Sequence, residues 1–160
     1  MKVSNWYLNI KELPKLSEET KKYIEGLKEY KASQWNLQTN EMKKFKLERL
    51  EGLLKIQENR CVYCGKRLDL CSIDREHFGH KAQSDGYPEF MFLLENLFAA
   101  CEYCNRRLKE SFDVIGKYHK DYVKCEFLII HPYYDDPSTF IEYVPSIENP
   151  IKVFPTLDDC

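Results

Sequence analysis

This chain has no apolar run near the roughly 18 to 20 residues that a membrane-spanning helix needs. Phe90-Met91-Phe92-Leu93-Leu94 is as long an apolar stretch as any, so no transmembrane segment is expected. Met1-Lys2-Val3-Ser4-Asn5-Trp6 lacks the continuous apolar core and small-residue cleavage site of a secretory signal, which points to a cytoplasmic setting. Glycine (6) and proline (7) are too few for a collagen-like or linker-type chain, and 43% hydrophobic residues argue against global disorder. An even cysteine count is also missing. Seven cysteines in a compartment where disulfides are rare do not make a closed disulfide framework and need another explanation.

At 160 residues the chain suits one domain, or one small core with an appended segment. The net charge of −2 conceals a gradient. Residues 1–60 hold 13 basic against 9 acidic side chains, residues 61–120 hold 9 of each, and residues 121–160 hold 2 against 8. A basic first third and an acidic end can bind DNA on one side and a protein on the other, or be solvated surface.

Ser17 followed by Glu18 and Glu19, then Tyr23, Ile24, Leu27 and Tyr30, predicts a helix over 17–30. A second helix fits 40–58, with Met42, Phe45, Leu47, Leu50, Leu53, Leu54 and Ile56 as its apolar stripe and Lys43, Lys44, Lys46, Arg49 and Lys55 largely outside it. Residues 61–78 read as a hairpin turning at Cys64-Gly65-Lys66, residues 79–88 as a loop, and Cys101 to about Ile115 as a helix. Phe127-Leu128-Ile129-Ile130 is strand-like and is followed by a turn through His131-Pro132-Tyr133-Tyr134-Asp135-Asp136-Pro137. The expected organisation is an N-terminal helical segment (1–56), a central core (57–120) and an acidic C-terminal extension (121–160), forming one compact domain.

Cys61-Val62-Tyr63-Cys64 and Cys101-Glu102-Tyr103-Cys104 are two Cys-x-x-Cys knuckles separated by 36 residues. Four thiolates from two such turns complete a tetrahedral shell for Zn2+ and leave no position for water, so this zinc is structural. Cys71, Cys125 and Cys160 have no comparable partners. Between and after the knuckles stand Glu76-His77, Asn96 and Asn105.

This ordered set resembles the HNH nuclease family over about residues 57–112. A finer resemblance, to the HNH effectors of retron and Septu anti-phage systems, runs through Glu76-His77-Phe78, Lys81, Tyr87-Pro88, Glu95-Asn96-Leu97 and Ala100-Cys101-Glu102-Tyr103-Cys104-Asn105 to His131-Pro132-Tyr133. The resemblance implies an α+β fold whose ββα-metal core is stapled by the four-cysteine zinc site. It also implies a metal-dependent DNA endonuclease working beside an ATPase partner in phage defence. Two departures stand out. The family commonly has Lys three residues after the helix Asn, whereas Leu108 stands there and Lys109 follows, a rotation of about 100° on an α-helix. His80 stands where the defence relatives tend to have Pro, and its role is open between a metal ligand, a phosphate contact and none.

The chemistry requires a similar kit. Phosphodiester hydrolysis needs a base for water and charge neutralisation on the phosphate and the leaving oxygen. His77 suits the base, and Glu76 and Asn105 offer hard oxygen ligands for Mg2+ or Mn2+. Both can serve one site only if the strand ends or bends at Glu76-His77. Asn96 is expected to brace the loop across the site, and Arg106, Arg107, Lys109 and Lys81 to meet DNA phosphates. The alternative is a catalytically idle zinc-knuckle module that binds nucleic acid or a protein.

Overall fold

In the computed structural model the described residues are 10–27, 29–68, 72–82, 84–143 and 153–155. Cys71, Cys160, the first residues of the chain and Asp158-Asp159 lie outside them. Ser17 caps helix α1 (Glu18–Gly26), its Oγ accepting from the Thr20 N–H, while Glu18 and Glu19 suit the positive end of the helix dipole. The Ser17 N–H and hydroxyl donate to the Glu48 carboxylate at 2.9 and 2.8 Å, which ties α1 to the next helix. Helix α1 stops at Gly26 rather than running to Tyr30, and Glu29 then takes a left-handed φ of 54° that no helix can continue through. A 3-10 turn, Ala32–Asn36, follows and buries Trp35.

Thr39 caps α2 (Asn40–Ile56). Its buried stripe is Met42, Phe45, Arg49 and Leu53, at steps of three and four residues. An arginine therefore stands in the core stripe, where the sequence pattern placed it outside, and Leu47, expected in the stripe, turns to solvent.

Strand β1 (Ile73–His77) pairs antiparallel with β2 (Leu97–Cys101), in a register that sets Ile73 opposite Cys101 and His77 opposite Leu97. The hairpin expected within 61–78 is thus differently built. Residues 60–67 turn back on themselves at an isolated Arg60–Arg67 bridge without forming a strand pair, and the strand ending at His77 finds its partner across the long 78–96 connection. That connection holds 3-10 turns at Pro88–Phe90 and Leu94–Asn96. It can close at Gly86 because a Cβ there would stand 2.4 Å from the Ala82 backbone nitrogen.

After β2 the chain is helical only as far as Lys109, the segment Cys104–Lys109 winding as a π-helix, and Glu110 ends it at φ 46°. Ile115, expected at the helix end, opens β3 (Ile115–Lys117), which pairs with β4 (Glu126–Phe127). A short α3 (Pro137–Phe140) and the pair β5 (Ile141–Tyr143) with β6 (Val153–Pro155) complete, among the described residues, an α+β arrangement with three two-stranded antiparallel sheets. No helix among the described residues is long and apolar enough to cross a membrane.

The core has two parts on the two sides of β1. One gathers Phe78, Phe98, Val114, Tyr122 and Cys125, and the other gathers Trp35, Met42, Phe45, Met91, Phe92 and Leu97. The first part includes Tyr122 and Cys125, which lie beyond residue 120. His131 has no exposed surface and joins a buried relay. Its Nδ1 accepts from the Tyr133 N–H (3.2 Å), its Nε2–H donates to Tyr122 Oη (3.1 Å), and the Tyr122 hydroxyl donates to Asn96 Oδ1 (2.9 Å).

Burial holds His131 down to about 3. An unfolded chain takes up this proton below about pH 6.5 and the fold only near its lowered value, so stability present above pH 6.5 is lost as pH falls. Each pH unit in that window removes up to about 1.4 kcal/mol from this group alone. Urea unfolding at pH 7, 6 and 5 should therefore show a steeper decline for the native chain than for His131→Asn; equal slopes would contradict this assignment.

Candidate functional site

The four thiols of Cys61, Cys64, Cys101 and Cys104 lie within 4.8 Å of one another and could hold a metal ion such as zinc. Local chain chemistry brings them there. Gly65 adopts φ 67°, its N–H donates to the Cys61 carbonyl at 2.9 Å, and the Cys61 N–H donates to the Lys66 carbonyl at 2.8 Å, closing the first knuckle. The backbone N–H of Cys101 points at Cys61 Sγ (3.3 Å) and that of Cys104 at Cys101 Sγ (3.5 Å). Burial pushes the Cys61 thiol up to about 11 and raises Cys104 further. Four thiolates this close repel one another, and a dication removes that penalty.

The first knuckle is clamped to β2 by buried Gln57. Its Nε2 donates to the carbonyls of Arg60 and Ala99, both at 2.8 Å, and its Oε1 accepts from the Ala99 N–H at 2.9 Å. The Val62 N–H adds a bond to the Ala99 carbonyl at 3.1 Å. One side chain thus joins the end of α2, the knuckle and the strand that carries the second knuckle.

Side chains alternate along β1, so Asp74 and Glu76 face the π-helical segment while Arg75 and His77 face the other way. On the first face Lys109 Nζ lies 2.8 Å from Glu76 Oε1, both side chains buried, and the Tyr63 hydroxyl donates to the same oxygen at 3.0 Å. Burial raises the Glu76 carboxyl, with Lys109 opposing the rise. Asn105 Nδ2 donates to Asp74 Oδ2 at 3.0 Å, and Arg106 grips Asp74 through two bonds of 2.9 and 2.8 Å. Burial works upward on Asp74, but Arg106 and Asn105 hold its carboxyl below the usual range.

On the second face His77 is buried. Its Nε2 lies 3.2 Å from the Met91 carbonyl, which can only accept, so Nε2 carries the proton and Nδ1 the lone pair. The Trp35 ring stands edge-on with centroids 4.3 Å apart. Burial, reinforced by the charges of Arg49 and Lys81, holds His77 well below an ordinary imidazole.

Asn96 is fully buried and fully paired. Oδ1 accepts from the Gly79 N–H (2.6 Å) and the Tyr122 hydroxyl (2.9 Å), while Nδ2 donates to the carbonyls of Gly79 (3.0 Å) and Phe90 (3.1 Å). It locks the turn directly after His77. The structure therefore brings Glu76 to Lys109, and Asn105 to Asp74, and sets His77 across the strand from all of them.

Of the expected phosphate contacts, Arg107 is exposed and Lys81 half-buried. Arg106 is engaged by Asp74 and Glu102, and Lys109 lies inward, its amine also donating to the His77 carbonyl at 3.2 Å. The rotation expected of Lys109 does not arise. The Glu110 N–H bonds the Asn105 carbonyl five residues back at 2.9 Å, and this wider π turn absorbs the extra residue. His80 Nε2 meets the Asp85 carbonyl at 2.6 Å within its own loop. Sequence reasoning missed Tyr63 and Trp35 as neighbours of Glu76 and His77, since no local spacing reports a contact between residues so far apart in the chain.

Removing one thiol should expose these relationships. Cys61→Ser and Cys104→Ser should lose bound metal by elemental analysis and become insoluble or unfolded, forfeiting a share of the ~10 kcal/mol or more such a site can contribute. Folded, metal-free native protein would contradict the assignment.

No family model matches the chain, and no solved structure matches it. The chain is similar to the Septu protein PtuB of Bacillus thuringiensis, 37% identical over 93 residues that make up 57% of this chain, and it spans 31% of that protein's own length.

Proposed function

We propose that the chain is a metal-dependent HNH endonuclease that hydrolyses phosphodiester bonds of DNA, the effector of an anti-phage defence system working with an ATPase partner. The observation that carries this reading is the state of His77. It stands at the last position of β1, its Nε2–H committed to Met91 and its Nδ1 left with a lone pair, directly after an acid whose face carries Asn105. The local similarity to a Septu protein supports the defence setting.

In this reading His77 takes the proton of the attacking water at Nδ1. Glu76 and Asn105 would hold Mg2+ or Mn2+, and their oxygen donors fit a hard cation. The place already receives positive charge, since the Lys109 ammonium neutralises Glu76 there. A bound cation would neutralise charge on the phosphate and the leaving 3′ oxygen. Asn96 holds the turn that fixes the direction of His77, and the four-thiol zinc is structural, with no position open for water.

The competing reading, an idle zinc-knuckle binding module, is favoured by the same Lys109–Glu76 pair, which fills the cation's place. Plasmid cleavage separates the two. At high protein concentration, slow nicking should appear with Mg2+ or Mn2+ and vanish without a divalent cation. His77→Ala should lower it about 10²- to 10⁴-fold while zinc content and fold persist. Near-native turnover in that variant would remove His77 as the base, and the absence of nicking under every condition, with or without the partner, would favour the binding module.

A further inference from the structure

Six cations at described positions have a carboxylate partner, and most of the others are exposed to solvent. Lys21, Lys44, Arg106, Lys109, Lys117 and Lys124 each pair with an acid within 4.0 Å. Lys46, Arg49, Arg75 and Lys81 have no ion pair among the described residues, although they come from three elements and gather on one side of β1. Arg49 is the extreme case. Its side chain is 0% exposed, and its Nε, Nη1 and Nη2 have no hydrogen-bond partner among the described residues. A guanidinium stays charged at neutral pH, and taking one out of water without a counter-ion costs several kcal/mol.

The surroundings of Arg49 direct that unmet charge. Its guanidinium lies over the Trp35 ring, 5.5 Å from the centroid, and Lys46 Nζ lies over the same ring at 5.0 Å. The Trp35 ring in turn stands against His77. Burial, and then the charges of Arg75, Arg49 and Lys81, push the Lys46 amine below its ordinary value, so the four cations lie within one another's field. The nearest acid by charge, Glu76, is already engaged by Lys109.

We propose that Lys46, Arg75 and Lys81, with the buried charge of Arg49 beneath them, line a phosphate pocket on the His77 side of β1 that takes the backbone of a DNA strand. The identity of the anion rests on the nuclease reading above, while the need for an anion rests on the geometry alone. Arg75, which solvent reaches, offers a planar guanidinium fork that matches two phosphate oxygens, and the enclosed Arg49 adds positive potential from beneath. The N-terminal helix α2 would then be part of the substrate groove, and the cations of the π-helical segment would be left mainly to organise the acids of β1.

Binding of a duplex DNA oligonucleotide to the full-length, zinc-loaded protein, followed by fluorescence anisotropy over a salt series without added divalent cation, tests this apart from cleavage. Lys46→Gln and Arg75→Gln, both at positions reached by solvent, should each reduce the slope of log affinity against log salt by about one. Arg49→Met should weaken binding about tenfold, since the positive potential beneath the pocket is lost, and should raise the melting temperature, since an uncompensated buried charge is replaced by an apolar stem. If Arg49→Met does not fold, the Lys46→Gln and Arg75→Gln double variant should reduce the salt slope by about two. Native slopes and affinities in these variants, or no duplex binding by the native protein, would overturn the pocket. Weakened binding in a protein that never cleaves would leave the pocket standing and defeat the nuclease reading instead. A cleaving protein whose variants bind normally would do the reverse.

Discussion

Strand β2 has two edges, and the arrangement of the site depends on how both are used. One edge pairs with β1 in unbroken register from Cys101 to Leu97. The other is taken at Ala99 by Gln57 and Val62, so that the first Cys-x-x-Cys turn is hydrogen-bonded to the strand that ends in the second. An unpaired backbone group buried here would cost about 1–3 kcal/mol, and Gln57 satisfies both groups of Ala99 with a single amide. The thiol cluster then follows from the strand, because Cys101 stands at its end and Cys61 is held beside it. A metal at the four thiols would fasten an arrangement that the backbone already specifies.

The pairing also sorts the chemistry. A strand gives alternate residues to opposite faces, so β1 sends its acids to the π-helical segment and its histidine to the side of Trp35. The two faces hold different electrostatic problems. On one, Glu76 and Asp74 are compensated by Lys109 and Arg106. On the other, positive charge accumulates around a ring held neutral by burial. A phosphate lying across the end of β1 would meet both faces at once, which is where His77 and the turn locked by Asn96 stand.

Much of this was legible in the chain. The two cysteine pairs announced the cluster because thiol spacing is a local property, and Ser17 and the apolar spacing of Met42, Phe45, Leu50 and Leu53 announced the helices for the same reason. What was not legible depends on contacts distant in sequence. The strand ending at His77 looked like half of a local hairpin, since nothing nearby reveals that residues 97–101 compete for its edge. The helix after Cys104 read as ordinary and long, whereas Lys109 is drawn into a π turn by a buried carboxylate 33 residues earlier. Arg49 read as a surface cation because arginine is seldom buried alone, and only the packing of Trp35 over it shows otherwise. The C-terminal residues read as an extension, yet His131 and Tyr122 are tied to Asn96 through hydrogen bonds that no pattern in the chain reports.

The central claim is that the acid face of β1 with Asn105 receives a divalent cation while the thiol cluster keeps its own metal. Titrating Mn2+ into zinc-loaded full-length protein, with free Mn2+ read by electron paramagnetic resonance, measures this directly and needs no partner or substrate. One Mn2+ site is predicted, weakened in Glu76→Gln and Asn105→Ala and retained in His77→Ala, with zinc content unchanged throughout. No Mn2+ site, or one indifferent to both Glu76→Gln and Asn105→Ala, would contradict the account.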